Sequence, residues 1–253
     1  MRSFFQSHTA EPPPPVLVPT VFPQIEGAEI AAVFSPHRVA GDFYDAIRVS
    51  PQRVLFGLLD VAGRRENTRG ILTVAQEIFR TAGQELFSPT DLNEADAMAQ
   101  FCVRINRRLI DHCCGVHPCP AFVGCYHEKL GTLCYTNAGH TAGLYRDATG
   151  VTELASTGLP LGLFSHSTCE APIVAIEKGA SLLLVSRGVL ECNGQRDRSA
   201  DEFGLDRVKQ LLEAAPLTSA QALCASVLNS VDEFTGKSPR CDDRTALALL
   251  RTK

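Results

Sequence analysis

The stretch from residue 121 to 191 constrains the fold most. It breaks into "AFVGCYHE", "GTLCYTNAG", "TAGLYRD", "VTELAS", "EAPIVAIE" and "SLLLVSRG", short apolar segments parted by turn residues. Segments of this length between such punctuation read as strands of a meander. So many strands need a sheet with at least one buried face. Upstream, "AEIAAVFSP" (28–36), "DFYDAIRVS" (42–50) and "RVLFGLLDVAG" (53–63) read as three further strands. A helix is expected over about 65–87, where Ile71, Ala75, Ile78, Ala82 and Leu86 fall on one face. A second is expected over about 89–111, with Leu92, Ala95, Met98, Cys102, Ile105 and Leu109 at the same spacing. Its start, "SPTD", offers a Ser cap and a Pro in the first turn. After residue 191, "FGLDRVKQLLEAA" and "SAQALCASVLNSVDEFT" are two more amphipathic helices, and "RTALALLR" is a last strand. Strands, helix pair, strands, helix pair, strand is the order of an α+β protein, with two antiparallel sheets back to back and helices outside.

The ends of the chain and its charge narrow the function. Residues 1–21 form a polar tail whose "PPPP" (12–15) favours an extended polyproline conformation and cannot join a core. Residues 22–253 carry one continuous pattern and read as one domain. A net charge of −4 with no basic stripe argues against a nucleic-acid binder. No apolar run approaches the ~18 residues of a membrane span, and the N-terminus lacks the apolar core of a secretory signal. The 10 Cys are dispersed in apolar contexts, as in a reducing compartment, so a cytoplasmic location is expected. One cluster, "DHCCGVHPCP" (111–120), offers His112, Cys113, Cys114, His117 and Cys119. It lacks the paired spacing of a structural zinc site and reads as a Cys-rich loop.

Acidic residues then stand out at strand ends: Asp42 and Asp45 in "AGDFYDA", Asp60 in "LLDVAG", and Asp242 and Asp243 in "CDDRTALALL". A desolvated, unpaired carboxylate costs free energy, and converging carboxylates repel unless a cation neutralises them. Hard divalent cations take such oxygen ligands, and a pair of them can promote in-line attack of water on phosphorus. Turn capping by Asp explains the same pattern without a metal.

"VAGDFYD", "DVAG" before a helix, "LCYTNAGH", "TGLPLGLF", "LLLVSRGVLE", "FGLDRV" and the closing "DDRTALALLR" follow one another in that order. Over roughly residues 22–251 the chain resembles the PPM-type, protein phosphatase 2C-like family, and within it the SpoIIE/RsbU branch of bacterial serine phosphatases. The resemblance implies a four-layer α-β-β-α sandwich. It implies hydrolysis of phosphoserine or phosphothreonine on a partner protein with two Mn2+ or Mg2+ ions. Asp60 matches the Asp that bridges both metals, and the Val61 carbonyl serves one of them. Asp42 matches the acidic residue of the first strand pair, and Asp242 the C-terminal metal ligand. Asp243 is expected behind the ligands, and Asn137 and His140 of "NAGH" near the site as positioning residues. The partner implied is a phosphorylated regulatory protein of the anti-sigma-factor antagonist type, and a homodimer is left open.

The chain departs from that pattern at a decisive place. Where the family reads Thr-Asp-Gly, with the Asp a metal ligand, this chain reads Ser186-Arg187-Gly188. Gly63 is followed by Arg64 and Arg65, where the family has a second Gly. A guanidinium has no acceptor and cannot ligate a metal, but it can bind carboxylates in the place of a cation. Three outcomes follow: an enzyme with altered metal dependence, a pseudophosphatase that binds a phosphoprotein without turnover, or an Arg187 turned to solvent with another acid, such as Glu191, as ligand.

Overall fold

A computed structural model describes residues 17–37, 41–61, 65–113, 117–194, 202–236 and 242–253. Ten strands and five helices are assigned among them. In chain order they are β1 (Ala28–Ser35), β2 (Gly41–Ser50), β3 (Arg53–Val61), α1 (Arg65–Phe87), α2 (Glu94–Cys113), β4 (Ala121–His127), β5 (Thr132–Ala138), β6 (Gly143–Asp147), β7 (Gly150–Leu154), β8 (Ile173–Ala175), β9 (Ser181–Val185), α3 (Arg187–Leu190), α4 (Gly204–Ala214), α5 (Ala220–Thr235) and β10 (Arg244–Arg251). The strands form two five-stranded sheets, ordered β1-β10-β9-β6-β7 and β2-β3-β4-β5-β8. All named strand pairs are antiparallel.

The layering follows from strands that are apolar on both faces. In β3, Leu55, Leu59 and Val61 face α1 and α2, while Phe56 and Leu58 join the core between the sheets. In β9 and β10, Leu182, Leu184, Leu247 and Leu249 meet them from the other sheet. Leu183, Val185, Ala246, Ala248 and Leu250 face α4 and α5 instead. Three stacked cores thus make the expected α-β-β-α sandwich. Helix α1 buries Ile71, Ala75 and Ala82, with Ile78 and Leu86 partly buried against them, as its periodicity predicts.

Two local expectations need correction. The 121–191 region is not a meander in one sheet: β4, β5 and β8 lie in one sheet, β6, β7 and β9 in the other. Single-segment patterns do not encode which sheet a strand joins. Helix α2 starts at Glu94, not near residue 89. Asn93, rather than Ser88, accepts from the backbone of Ala95 and Asp96 at 3.1 and 3.3 Å. The carbonyls of Pro89 and Thr90 are instead bonded by Arg53, which also pairs with Glu94 at 2.7 Å. Just past β9, Arg187–Leu190 forms a single helical turn.

Residues 1–16 of the Pro-rich tail lie outside the described residues, as do Cys114 and the side chain of Cys113. Cys119 packs in the core beneath α1 and α2. No helix among the described residues is long and apolar enough to cross a membrane.

Candidate active site

Four strand ends meet at one edge of the sandwich. Asp42 and Asp60 are direct partners across β2 and β3, and Gly41 faces Val61 one step further. Directly opposed residues project to the same face within about 4.5–5.5 Å at Cβ, so this register brings the two carboxylates together. The other sheet contributes the end of β9 and the start of β10. There Ser186 donates its N–H to the Thr245 carbonyl at 2.9 Å, and the Thr245 N–H donates to Ser186 Oγ at 3.0 Å. The sheets are joined across the site by two bonds. Thr245 Oγ1 donates to Asp42 Oδ2 at 2.6 Å, and the Arg187 N–H donates to Asp60 Oδ2 at 3.0 Å.

Arg187 does not turn away to solvent. Its Nη2 lies 3.7 Å from Asp60 Oδ1 and 3.8 Å from Asp242 Oδ2, and its Nε lies 3.6 Å from Glu191 Oε2. All three are ion-pair distances, longer than direct charge-assisted hydrogen bonds. The side chain keeps 40% of its surface exposed. Glu191 thus partners the arginine. Gly188 has to follow: a Cβ there would lie 2.0 Å from the Asp243 carbonyl oxygen. That close approach presses the turn of α3 onto the Asp242–Asp243 corner.

The remaining acids are held tightly. The Asp242 carboxylate accepts from the Asp243 N–H at 2.9 Å. Asp243 is buried and accepts from the backbone of His37. Burial first, then Asp60 and Asp243, push the Asp42 carboxyl well above the usual carboxylate range, against hydrogen bonds from Thr245 and Ser186. Burial also raises Asp242, with Asp60 and Asp243 adding to it and the Asp243 N–H and Arg187 opposing it. Sequence reasoning missed Thr245 and Ser186 as supports of Asp42. Their only local signal is nearness in sequence: Ser186 precedes Arg187, and Thr245 follows Asp242 by three residues.

Asn137 and His140 lie at the end of β5. Asn137 is fully buried and closes its own turn: Oδ1 accepts from the His140 N–H at 2.8 Å, and Nδ2 donates to the Thr141 and Leu154 carbonyls. Its backbone carbonyl accepts from Thr157 and Gly158. Asn137 therefore holds the scaffold rather than facing the carboxylates.

Among the described residues, no three His, Cys, Asp or Glu side chains gather into a group that could hold a metal ion. The carboxylates instead form two pairs that share Asp60, and the pairs differ. Asp60–Asp242 already contains a cation, Arg187, and does not fit a second one. Asp42 is acted on by Asp60, Asp243 and two hydroxyls. The Val61 carbonyl lies beside it against Gly41, where a Cβ would lie 3.0 Å from that oxygen. Two carboxylates and a carbonyl, with waters, are hard oxygen donors that fit one Mg2+ or Mn2+.

Two sheets back to back with helix pairs outside are the architecture of a PP2C-type domain. A family model described as Stage II sporulation protein E (SpoIIE) matches residues 50–252, and the chain belongs to the SpoIIE family. The phosphoserine phosphatase RsbU of Bacillus subtilis (strain 168) is 23% identical over 240 residues, 93% of this chain and 67% of RsbU. The SiaA-PP2C domain of Pseudomonas aeruginosa superposes with a TM-score of 0.74 at 18% identity, over 88% of this chain and 85% of that one. RsbX in complex with magnesium superposes with a TM-score of 0.62 at 12% identity, over 90% of this chain and 97% of RsbX. At these identities the solved structures bear on the fold.

Proposed function

We propose that the chain is a protein serine/threonine phosphatase that hydrolyses phosphoserine on a cytoplasmic regulatory protein of the anti-sigma-factor antagonist type, using one divalent cation where its family uses two. One observation carries this reading: a guanidinium stands on the Asp60–Asp242 pair, while the groups acting on Asp42 are carboxylates and hydroxyls. The activity named for the Bacillus subtilis relative supports the substrate class, and the magnesium of RsbX supports the choice of cation.

Asp42, Asp60 and the Val61 carbonyl would hold the Mn2+ or Mg2+. When bound there, the ion neutralises phosphate charge and lowers the pKa of a bound water. The protein's own part is to fix the donors. Thr245 and Ser186 orient Asp42, and the Arg187 N–H orients Asp60. Asp242 and Glu191 keep the guanidinium at the edge of the site, and its exposed part offers charge-assisted donors to phosphate oxygens. Asp243 and Asn137 hold the backbone around it.

A second reading has one observation in its favour. Arg187 reaches both acids of the second metal position. In a pseudophosphatase this contact would close the site, and the domain would bind a phosphoprotein without turnover. Release of phosphate from a phosphoserine peptide, with and without Mn2+, by the wild type and Arg187→Asp decides between them. The phosphatase reading expects Mn2+-dependent turnover by the wild type. Turnover that appears only in the variant supports the pseudophosphatase.

A further inference from the structure

His140 is 6% exposed, and its two ring nitrogens differ. Nδ1 lies 3.0 Å from Thr141 Oγ1 and 3.2 Å from the Thr141 carbonyl oxygen. The Thr141 hydroxyl donates to the Val185 carbonyl at 2.6 Å. Its only hydrogen is thus committed, and it can only accept from the histidine. A carbonyl oxygen likewise only accepts. Nδ1 therefore carries the proton, and in the neutral ring Nε2 is a lone pair. That Nε2 is buried and has no hydrogen-bond partner. Burial lowers the imidazole pKa and favours the neutral form, against the pull of Thr141 and Asp60.

The surroundings place this ring beside the site, where Asp60 acts on it. Gly139 bridges Ala121, whose neighbour Pro120 accepts the Asp60 N–H at 2.9 Å. On the other side, Thr141 bonds the Val185 carbonyl, two residues before Arg187, which bonds the Asp60 carboxylate. His140 is clamped between the two segments that hold Asp60. Most buried polar atoms have a partner in the protein or in ordered water, and a ring held so firmly by one nitrogen presents the other at a fixed point.

The geometry points to His140 as a positioning residue of the Asp60 site: its Nε2 lone pair accepts a hydrogen bond from a water on the Asp60 side, and the Thr141–Val185 relay fixes the ring for that purpose. A buried histidine that merely fills space needs no such orientation. The role rests on the phosphatase reading only for its kinetic arm.

The test uses the full chain labelled with 15N-histidine, with His140→Asn to assign the signals. In the free protein the His140 signals should show a protonated Nδ1 and an unprotonated Nε2. Adding MgCl2 and inorganic phosphate should move Nε2 more than Nδ1. A protonated Nε2, or an Nε2 that ignores both additions, overturns the role. In the kinetic arm, His140→Asn places an amide N–H where Nδ1–H stood and removes the acceptor. It should lower kcat about tenfold or more with KM nearly unchanged, the scale of a misplaced reacting group. Wild-type turnover by a folded His140→Asn overturns the role. A wild type without phosphatase activity sinks the phosphatase reading alone, and the nuclear resonance result then decides the histidine's role.

Discussion

Arg187 meets Asp60 twice: its backbone N–H donates to Oδ2 at 3.0 Å, and its Nη2 lies 3.7 Å from Oδ1. The first contact belongs to the chain and survives any non-proline residue at position 187. The second belongs to the side chain and sets the charge of the site. This division makes position 187 a clean probe, because Asp60 keeps its anchor when the guanidinium is removed. A part-exposed ion pair at these distances contributes no more than about 1 kcal/mol to stability. Arg187→Ala should therefore leave the unfolding free energy within about 1 kcal/mol of wild type, measured by urea denaturation. A larger loss would mean that the arginine holds the fold and not the site.

Gly188 is tied to the acidic corner more strongly. A methyl group there would sit 2.0 Å from the Asp243 carbonyl oxygen and 3.1 Å from Asp242 Cβ. The obstacle is backbone, which cannot swing aside. Gly188→Ala should cost about 2–3 kcal/mol, at the upper end of overpacking, and should loosen the Arg187–Asp242 contact by displacing the Asp242–Asp243 corner. Unchanged thermal stability would show that the corner yields freely.

Asp45 is fully buried and bound by Arg80 at 2.7 and 3.2 Å. Thr20 Oγ1 and the Ala46 N–H also donate to it. Removing the guanidinium leaves a buried charge with only two neutral donors. Arg80→Ala should destabilise by about 2–4 kcal/mol, slightly below the range for a wholly buried pair because Arg80 is part-exposed. The double variant Asp45→Ala, Arg80→Ala should lose less than the sum of the singles. Additive losses would contradict the coupling.

Among the described cysteines, Cys169 is set apart. A hydrogen bond from Cys102 draws the Cys169 thiol down to about 7 against burial, while Cys102 itself is pushed well above its usual value. A lowered thiol pKa populates the thiolate as pH rises through about 7. Alkylation of Cys169 by iodoacetamide should accordingly precede that of Cys102 and accelerate between about pH 6 and 8. Peptide mapping that finds Cys102 modified first would contradict this order.

The sandwich was legible because its signals are local and repeated. The faces of α1, the doubly buried runs of β3, β9 and β10, and the turn residues between strands each survive inspection one window at a time. The order of short motifs then carried the family. What was not legible depends on register across the fold. Thr245 reaches Asp42 over 203 positions of sequence, and no window contains both. The start of α2 moved because Arg53, on a distant strand, takes the carbonyls ahead of it. Arg187 was visible as an oddity, but its choice between solvent and the carboxylates rests on how closely β9 and β10 bring α3 to Asp60. The chemistry of His140 was hidden for a related reason: its tautomer is set by Thr141 and Val185, and only the folded chain brings these together.

On the proposed reading, Arg187 fills one of two cation positions that share Asp60. Calorimetric titration of the purified chain with Mn2+, beside Arg187→Asp, measures this directly. The account predicts one site per wild-type chain and a second site in the variant. Two sites in the wild type, or no gain in the variant, would contradict it.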